Sequence, residues 1–377
     1  MKFVSGIFWA LSSISLLLAT GCSFFNQEDY QSSSVSTSTL GPFPGDHRRG
    51  HSLVASESSV IVWGGNTGSQ DNALNDGFMY DLQKSEWSQI PESDIRPRSG
   101  HVAVISEKEM IVWGGFLDGF DDVTGDRLAR DGHAFNIEDQ RWRKIADAPE
   151  GRSNSVARYS QGKLVVGGGS GPNGKNKDLL IYSILDDAWQ AVPVDFFVYE
   201  MEELASGDFY LLGMSDHGEM RGAVFSLEDL SVQGIEFVDA EDQKVRALGS
   251  TVSSDGDLLI ISQDGHNSLL TYNGNFLEYE VERFGVRNIY GFAEYRRAPL
   301  DVGGLYELDQ NILISASGAG VSVFEVQENE VNHFNVSVEK GNCGNGVELV
   351  KTGFGIFAVG GLGCSEDEDY GFLLESA

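Results

Sequence analysis

The chain has 377 residues, 41% of them hydrophobic, and its 57 acidic residues against 26 basic ones give a formal net charge of −31. A protein this negative is repelled by nucleic acid and by anionic lipid surfaces, which makes nucleic-acid binding the least favoured function. The acidic residues are scattered along the chain, as expected of a solvated surface.

The first 21 residues have the layout of a secretory signal. Lys2 supplies a positive charge, a mainly apolar stretch covers residues 7–19, and the small residues Thr20 and Gly21 follow. The apolar stretch is too short to span a bilayer comfortably, because a membrane-spanning helix needs roughly 20 apolar residues. We therefore predict that residues 1–21 are a cleaved signal peptide.

The end of this segment, Leu18-Ala19-Thr20-Gly21-Cys22, resembles the lipobox of bacterial lipoproteins, although Ala19 replaces the more usual leucine. The resemblance implies that Cys22 is diacylated and becomes the new N-terminus; the alternative is a plain secreted protein. Anchoring by two or more acyl chains is effectively permanent. Ser23 resembles the signal that sorts such proteins to the outer membrane. We expect a lipid anchor there, facing the periplasm or the cell exterior, and a tether with a possible closing strand over residues 22–40.

Residues 41–377 begin with an internal repeat of about 50 residues. Gly50-His51 is followed by Trp63-Gly64-Gly65, Gly100-His101 is followed at the same spacing by Trp113-Gly114-Gly115, and a third copy ends in Gly167-Gly168. Beyond each glycine pair, an aromatic residue lies seven positions before a tryptophan. These pairs are Tyr80 and Trp87, Phe135 and Trp142, and Tyr182 and Trp189.

These residues resemble the kelch repeat, in which a strand ends in Gly-Gly and a Tyr and a Trp follow at fixed separation. The resemblance implies an all-β fold, a β-propeller with four-stranded antiparallel blades. After residue 190 the pattern persists by position, with apolar strands at 209–213, 258–261, 312–318 and 356–361 and +7 pairs at Phe225 and Val232, Tyr272 and Tyr279, and Phe324 and Val331. Counting the glycine turns predicts seven blades, with six or eight left open.

The last repeat is one strand short. It contains Phe372, but the sequence stops at Ala377, before the +7 position that would begin a fourth strand. We predict that Val35 to Leu40 supply the missing strand and pair with the last blade.

Two cysteines flank the first two strands of the last repeat. Cys343 precedes the first strand and Cys364 follows the second, and adjacent antiparallel strands bring these two ends together. Because an exported protein lies in an oxidising compartment, we predict a disulfide between them, with two free buried thiols as the alternative. This disulfide would leave no thiol for the cofactor of the copper radical oxidases, which are also kelch propellers.

Two groups of residues are candidates for recognition. His217 and His266 follow the second strands of blades four and five, which puts them on neighbouring loops of one face. Metal binding there would need two further ligands, so exposed loop histidines are the simpler interpretation. The connection at residues 282–303 is rich in arginine and tyrosine, which are enriched in binding patches, although it could instead pair with nearby acids. Its candidates are Arg283, Arg287, Tyr290, Tyr295, Arg296 and Arg297.

Other residues that could bind metal are interpreted as structural or solvated. His51 and His101 recur at one strand position, which indicates a structural role. The loop at residues 116–132 holds a group of four aspartates between residues 118 and 126, but their spacing lacks the alternate-residue pattern of a calcium loop. These are Asp118, Asp121, Asp122 and Asp126. We predict no metal and no cofactor.

The sequence favours a non-catalytic, monomeric scaffold at the cell envelope, which binds a protein or a glycan through the loops of one propeller face. The alternative is an envelope carbohydrate enzyme similar to the sialic acid mutarotase that is also a kelch propeller. Kelch propellers include both classes, so the fold does not decide between them. Unequal repeats and the lack of an acid–base or metal constellation at fixed spacing favour binding.

Overall fold

The computed structural model of the protein describes residues 35–119, 125, 127–235, 246–252, 258–263, 268–272, 279–283, 305–309, 312–317, 320–327, 330–335, 345–362 and 371–377. Several predicted features lie outside these residues. They are the signal peptide with Cys22, both cysteines of the predicted disulfide (Cys343 and Cys364), His266, Arg287, Tyr290, Tyr295, Arg296 and Arg297. Arg283 ends a described strand, but its side chain is outside the described set.

Strands dominate the described residues. The first half of the chain contains β1 (Val35–Thr39), β2 (Ser52–Ala55), β3 (Ser59–Trp63), β4 (Gly77–Asp81), β5 (Glu86–Gln89), β6 (Arg98–Ser99), β7 (Val102–Ile105), β8 (Glu109–Trp113), β9 (Phe116–Leu117), β10 (Gly132–Asn136), β11 (Arg141–Ile145), β12 (Ser153–Ser160), β13 (Lys163–Gly171), β14 (Gly174–Lys175), β15 (Asp178–Ser183) and β16 (Ala188–Pro193).

The second half contains β17 (Phe197–Glu203), β18 (Phe209–Met214), β19 (Met220–Phe225), β20 (Val232–Ile235), β21 (Arg246–Val252), β22 (Leu258–Gln263), β23 (Ser268–Tyr272), β24 (Tyr279–Arg283), β25 (Leu305–Asp309), β26 (Ile312–Ser317), β27 (Gly320–Gln327), β28 (Glu330–Asn335), β29 (Asn345–Thr352), β30 (Gly355–Leu362) and β31 (Gly371–Ser376). A 3-10 helix covers Gln70–Asn72. None of the described helical segments has the length and apolar character that a membrane span requires.

The strands pair into antiparallel sheets that follow the chain. The sheet orders are β2-β3-β4-β5, β7-β8-β10-β11, β12-β13-β15-β16 with β14 added to β13, β17-β18-β19-β20, β21-β22-β23-β24, β25-β26-β27-β28 and β29-β30-β31-β1, with β6-β9 as a small separate sheet. We call the first strand of each four-stranded sheet its inner strand. Inner strands of consecutive sheets contact one another from β2 through β25, β29 contacts β26, and β29 also contacts β2. This arrangement is a propeller of four-stranded blades.

Five blades are described with side chains along most of their strands, rather than the seven that the glycine turns predicted. They are the four sheets from β2 to β20 and the sheet that contains β29 to β31. The sheets β21–β24 and β25–β28 are described mainly by their backbone pairing. The described side chains therefore establish an all-β propeller without fixing its blade count.

The outer strand of the last sheet comes from the beginning of the described chain. β1 pairs antiparallel with β31 in a register that joins Val35 to Ser376 and Thr39 to Phe372. Leu40 follows this strand, donates its backbone N–H to the carbonyl of Gly371 at 3.1 Å and is buried. The predicted closing strand is therefore present.

The core lies between neighbouring sheets. Each predicted aromatic pair joins the third and fourth strands of one blade as cross-strand partners, such as Phe135 with Trp142 and Tyr182 with Trp189. The tryptophan then contacts an aromatic ring of the preceding blade. Trp189 lies 5.0 Å from Trp113, measured between ring centroids, and Trp142 lies 6.0 Å from Trp63. Because a single blade cannot bury its own faces, these contacts hold consecutive blades together.

One detail of the predicted repeat is wrong, and another departs from the cross-strand pairing seen in the first three blades. In blade three the adjacent glycines with positive φ are Gly168 and Gly169, at 61° and 78°, so the pair lies one residue later than predicted. In addition, Phe324 is paired with His333 and not with Val331. β27 ends at Gln327 and β28 begins at Glu330, a shorter interval than between the third and fourth strands of the other blades, and the cross-strand register differs accordingly.

Candidate functional site

The recurring histidines pack against the paired glycines of the preceding blade. Gly64 has φ 63°, and a Cβ added to it would lie 2.8 Å from Cε1 of His101, so only glycine fits there. His101 is buried, and its Nε2 lies 3.0 Å from Oγ of Ser52. Burial, followed by the charges of Arg98 and His51, lowers the pKa of His101 to about 3. His101 is therefore a neutral structural residue at physiological pH, as predicted.

Buried arginines form a repeated interaction that the sequence analysis missed. Arg98, three residues before His101, donates from Nη2 to both carboxylate oxygens of Asp131, at 2.9 and 3.0 Å. Its Nη1 donates to the carbonyl of Gly114 at 3.2 Å. The arginine side chain is fully buried. Since Gly114 follows the second strand and Asp131 precedes the third, Arg98 holds both ends of the loop between these strands.

The same interaction recurs in the neighbouring blades. Arg48 donates to both oxygens of Asp76, at 2.7 and 3.1 Å, and to the carbonyl of Gly64 at 3.2 Å. Arg152 donates to both oxygens of Asp178, each at 2.8 Å. Arg48 uses two nitrogens for the two oxygens, a bidentate pair that combines charge with a fixed planar geometry, whereas Arg98 and Arg152 each contact both oxygens through Nη2. We call these three Arg–Asp pairs the loop clamps.

The loop clamps support one face of the propeller, which we call the loop face. It consists of the second-to-third-strand loops at residues 64–76, 114–131, 172–177 and 215–219. Arg127 ties two of these loops together, because its Nη2 donates to Asp71 at 2.7 Å and to the carbonyl of Leu117 at 3.2 Å. Lys177 forms an ion pair with Asp216 in the next blade. The loops are therefore linked to one another and to the blades beneath them.

Among the predicted site residues, His217 lies on this face. It is exposed in the turn after β18, and its backbone N–H donates to Oγ of Ser215 at 3.3 Å. Asp118 is exposed on the loop of blade two, whereas the other three aspartates of that loop lie outside the described residues. Within the described part of the chain, no group of three or more His, Cys, Asp or Glu side chains is placed to hold a metal. Because His266 lies outside the described residues, the structure does not test the predicted proximity of His217 and His266.

A second set of polar side chains comes from the inner strands, and we call it the inner-strand cluster. It consists of Arg158 on β12, Glu200 and Glu202 on β17, Tyr306 on β25 and Glu348 on β29. Nη2 of Arg158 lies 3.1 Å from Oε1 of Glu202. These residues lack a fixed spacing in the sequence, because the turns and connections between inner strands differ in length.

The electrostatics of the inner-strand cluster are unusual. Burial raises the pKa of Glu202 to about 7; the charge of Glu200 adds to this effect and Arg158 opposes it. Burial likewise raises the pKa of Tyr306 to about 12, with Arg158 opposing and the charges of Glu202 and Glu348 adding to the rise. Residues from four different blades thus affect one another's ionisation.

Comparison with known proteins supports the repeat assignment. Residues 24–205 match the model of the KLHDC2/KLHL20/DRC7 Kelch-repeats domain. The match ends within blade four, close to where the signature residues decay. A search of curated proteins gives no match to the chain. Together with the propeller topology and the recurrent His, Gly-Gly and Tyr-Trp contacts, the match, which covers just under half of the chain, supports an all-β kelch propeller.

Proposed function

We propose that this protein is a non-catalytic interaction scaffold anchored to the bacterial cell envelope, and that its loop face binds a protein or a glycan. The observation that carries this proposal is the set of three loop clamps, in which fully buried arginines hold the bases of successive loops. A buried ion pair is a weak source of stability, since desolvation offsets its attraction. Its effect here is to fix the conformation of loops that are otherwise exposed.

Fixed loops favour binding because ordering them on association costs free energy. Holding a loop in its bound conformation reduces that cost, which is the general advantage of a preorganised surface. The bridge from Arg127 to Asp71 extends the same restraint across two blades. Since kelch propellers also include enzymes, the proposal depends on this surface and not on the fold.

Site-specific photocrosslinking tests where a partner binds. A photoreactive amino acid replaces His217 on the loop face in one variant, and Leu185 in a matched control. Leu185 lies in the turn between β15 and β16 and is 92% exposed, so it is the residue a simple hydrophobic contact would use. We expect a defined crosslinked adduct in envelope preparations only from position 217. An adduct only from position 185 would contradict the proposed face.

The anchor is tested by the variant Cys22→Ser. We expect the native protein to sediment with membranes and to incorporate labelled palmitate, and the variant to lose both properties because it lacks the thiol that is acylated. Fractionation of inner and outer membranes tests the proposed outer-membrane location. Palmitate incorporation by the variant would mean that Cys22 is not the lipidated residue.

We also propose that the ring has seven blades. The proposal is supported by the seven four-stranded sheets and by the ring order of their inner-strand contacts. The arginine- and tyrosine-rich connection at residues 282–303 would then be a second contact surface of the scaffold. Replacing its arginines by serine tests this role, with loss of the partner adduct as the expected result.

The predicted disulfide also stays a proposal, and the register of the last blade supports it. Asn345 of β29 is paired with Leu362 of β30. Two more residues of the same register would place position 343 opposite position 364, at a separation that suits a disulfide. Mass mapping of peptides under non-reducing conditions tests the bond. Recovery of both cysteines as free thiols would exclude it.

The inner-strand cluster favours a second candidate function, the carbohydrate enzyme. A carboxyl group with a pKa near 7, beside an arginine and a tyrosine, suits general acid–base catalysis. NMR exchange spectroscopy of the anomers of reducing sugars, sialic acid included, distinguishes the two functions. Faster anomer exchange with the protein, abolished in Glu202→Gln, would establish the enzyme, whereas an unchanged rate supports the scaffold.

A further inference from the structure

Glu202 and Arg158 join the inner strands of two consecutive blades. The side chain of Glu202 is 13% exposed, and that of Arg158 is 36% exposed. Glu200 lies two residues earlier on the same strand, and is 5% exposed. Successive side chains of a strand point to opposite faces, so Glu200 and Glu202 share one face. Two carboxylates with little access to water thus lie near a single guanidinium.

Ionisable groups surround Glu202 from several elements. Arg158 faces it from β12, Glu200 from its own strand and Tyr306 from β25, while the cross-strand partner of Glu202 on β18 is the buried Tyr210. Glu348 on β29 acts on the same tyrosine, Tyr306. β21 also contacts β17 and carries Arg246, whose side chain is outside the described set. Arg158 is therefore the only described cation that acts on Glu202.

We propose that the inner-strand cluster is a proton-operated switch: under mildly acidic conditions the Glu202 carboxylate takes up a proton, its ion pair with Arg158 ends, and the guanidinium is left to the carboxylate of Glu200. The proton makes the cluster more positive by one charge. It thereby changes the interaction between the inner strands β12 and β17, beyond any role of the loop face.

The direction of the linkage follows from the pKa values. The pKa of Glu202 rises from the ordinary 4.5 to about 7 in the folded protein, mainly through burial and against the opposing charge of Arg158. Between these two values the folded protein holds a proton that the unfolded chain has released. The contribution to stability is therefore fully present below pH 4.5 and is lost as the pH rises through 7.

Carbon-13 NMR of the glutamate side-chain carboxyl groups gives a direct test. We expect one carboxyl carbon with a titration midpoint near pH 7 in the native protein, and its loss in Glu202→Gln. Arg158→Gln should move the midpoint higher, because it removes the cation that favours the carboxylate. The neighbouring variant Glu203→Gln should leave the midpoint unchanged. A midpoint near 4.5 for Glu202, or no response to Arg158→Gln, would overturn the switch.

Equilibrium unfolding provides a second, independent readout. One bound proton changes the unfolding constant tenfold per pH unit. Between pH 5 and 6.5 we expect the unfolding constant of the native protein to rise by roughly tenfold per pH unit relative to that of Glu202→Gln. Parallel pH profiles for the two proteins would overturn the proposal. If Glu202→Gln does not fold, the NMR titration of the native protein and of Glu203→Gln decides the question.

Discussion

Blades one to three and blade four share a strand order but hold their loops differently. In the first three blades a buried arginine pairs with the aspartate at the start of the third strand, and in blades one and two it also binds the glycine carbonyl after the second strand. Blades one and two also carry the recurring histidine. In blade four, Phe196 lies at the corresponding place, and a Cβ added to Gly213 would clash with its ring. Phe196 is buried and joins an apolar core with Phe209 and Phe225.

Loop length separates blades two and four, although the short loop of blade three, residues 172–177, keeps its clamp. The loop of blade two covers residues 114–131, whereas the loop of blade four covers only 215–219 and closes through backbone hydrogen bonds between Ser215 and Glu219 and between Gly218 and Ser215. A short turn satisfies its own backbone groups, but a long loop needs partners elsewhere. Strand pairing and apolar packing are therefore enough to form a blade. In blades one and two the buried arginines add hydrogen-bond partners for the ends of the long loops.

The largest expected effect tests the apolar half of this comparison. Phe209→Ala removes a fully buried ring that stacks on Phe225 at 6.4 Å between centroids. We expect a loss of about 4 kcal/mol in the free energy of unfolding, measured by denaturant titration, because a cavity remains in the core. Phe354→Ala is the control, since that ring is 55% exposed. Similar losses of unfolding free energy in both variants would mean that the apolar core does not stabilise blade four.

Breaking one loop clamp tests the other half. Asp131→Ala leaves the buried guanidinium of Arg98 without its carboxylate, and we expect a loss of about 3 kcal/mol. We also expect faster proteolysis within the loop at residues 114–131. Glu138→Ala is the matched control. The side chain of Glu138 is 70% exposed and that of its ion-pair partner Lys108 is 63% exposed, so this pair should contribute under about 0.5 kcal/mol. Stability lost without any change in loop proteolysis would show that the clamp does not hold the loop.

Two glycines with positive φ sharpen the comparison further. A Cβ on Gly168 would clash with the carbonyl oxygen of Val198, whereas one on Gly218 meets nothing within 4 Å. Both have positive φ, at 61° and 79°. We expect Gly168→Ala to cost about 2 kcal/mol by thermal or chemical unfolding, and Gly218→Ala about 1 kcal/mol. Equal costs would mean that the φ strain alone matters.

The smallest expected effect concerns pH. Burial lowers the pKa of His101 to about 3 from the ordinary 6.5, so the unfolded chain binds a proton that the folded protein does not. The resulting stability is present above pH 6.5 and falls as the pH decreases towards 3. At pH 5.5 we expect His101 to reduce stability by about 1 kcal/mol relative to pH 7.5. Comparing the pH dependence of the unfolding free energy with that of His101→Gln isolates the contribution of His101. Identical pH profiles for the two proteins would exclude this contribution.

Much of the fold could be predicted from local pattern. The spacing from Tyr182 to Trp189 predicts cross-strand partners because a turn of fixed length fixes the register, and the structure confirms that pair. Phe324 and Val331 have the same spacing but are not cross-strand partners, because only two positions separate the end of β27 from the start of β28. The need for a closing strand followed from a count of strands, which does not depend on residue identity.

The site was less accessible to sequence analysis. Arg48 and Arg98 each lie three residues before a recurring histidine, so their periodicity could have identified them. Their aspartate partners, Asp76 and Asp131, lie at the far end of loops of different length, which hides the pairing. The inner-strand cluster has no sequence signal, because Arg158 and Glu202 meet only through the packing of separate blades.

Finally, the pairing of β1 with β31 has a consequence for the order of folding. During synthesis, residues 35–39 leave the ribosome long before residues 371–376, so the first strand waits unpaired while nearly the whole domain is made. Unpaired strands promote aggregation when they are apolar, and polar edges reduce that hazard. The sequence of β1, VSTST, is almost entirely hydroxylated, and all but its first residue remain exposed even after pairing. The strand that must wait longest is thus one that water solvates well.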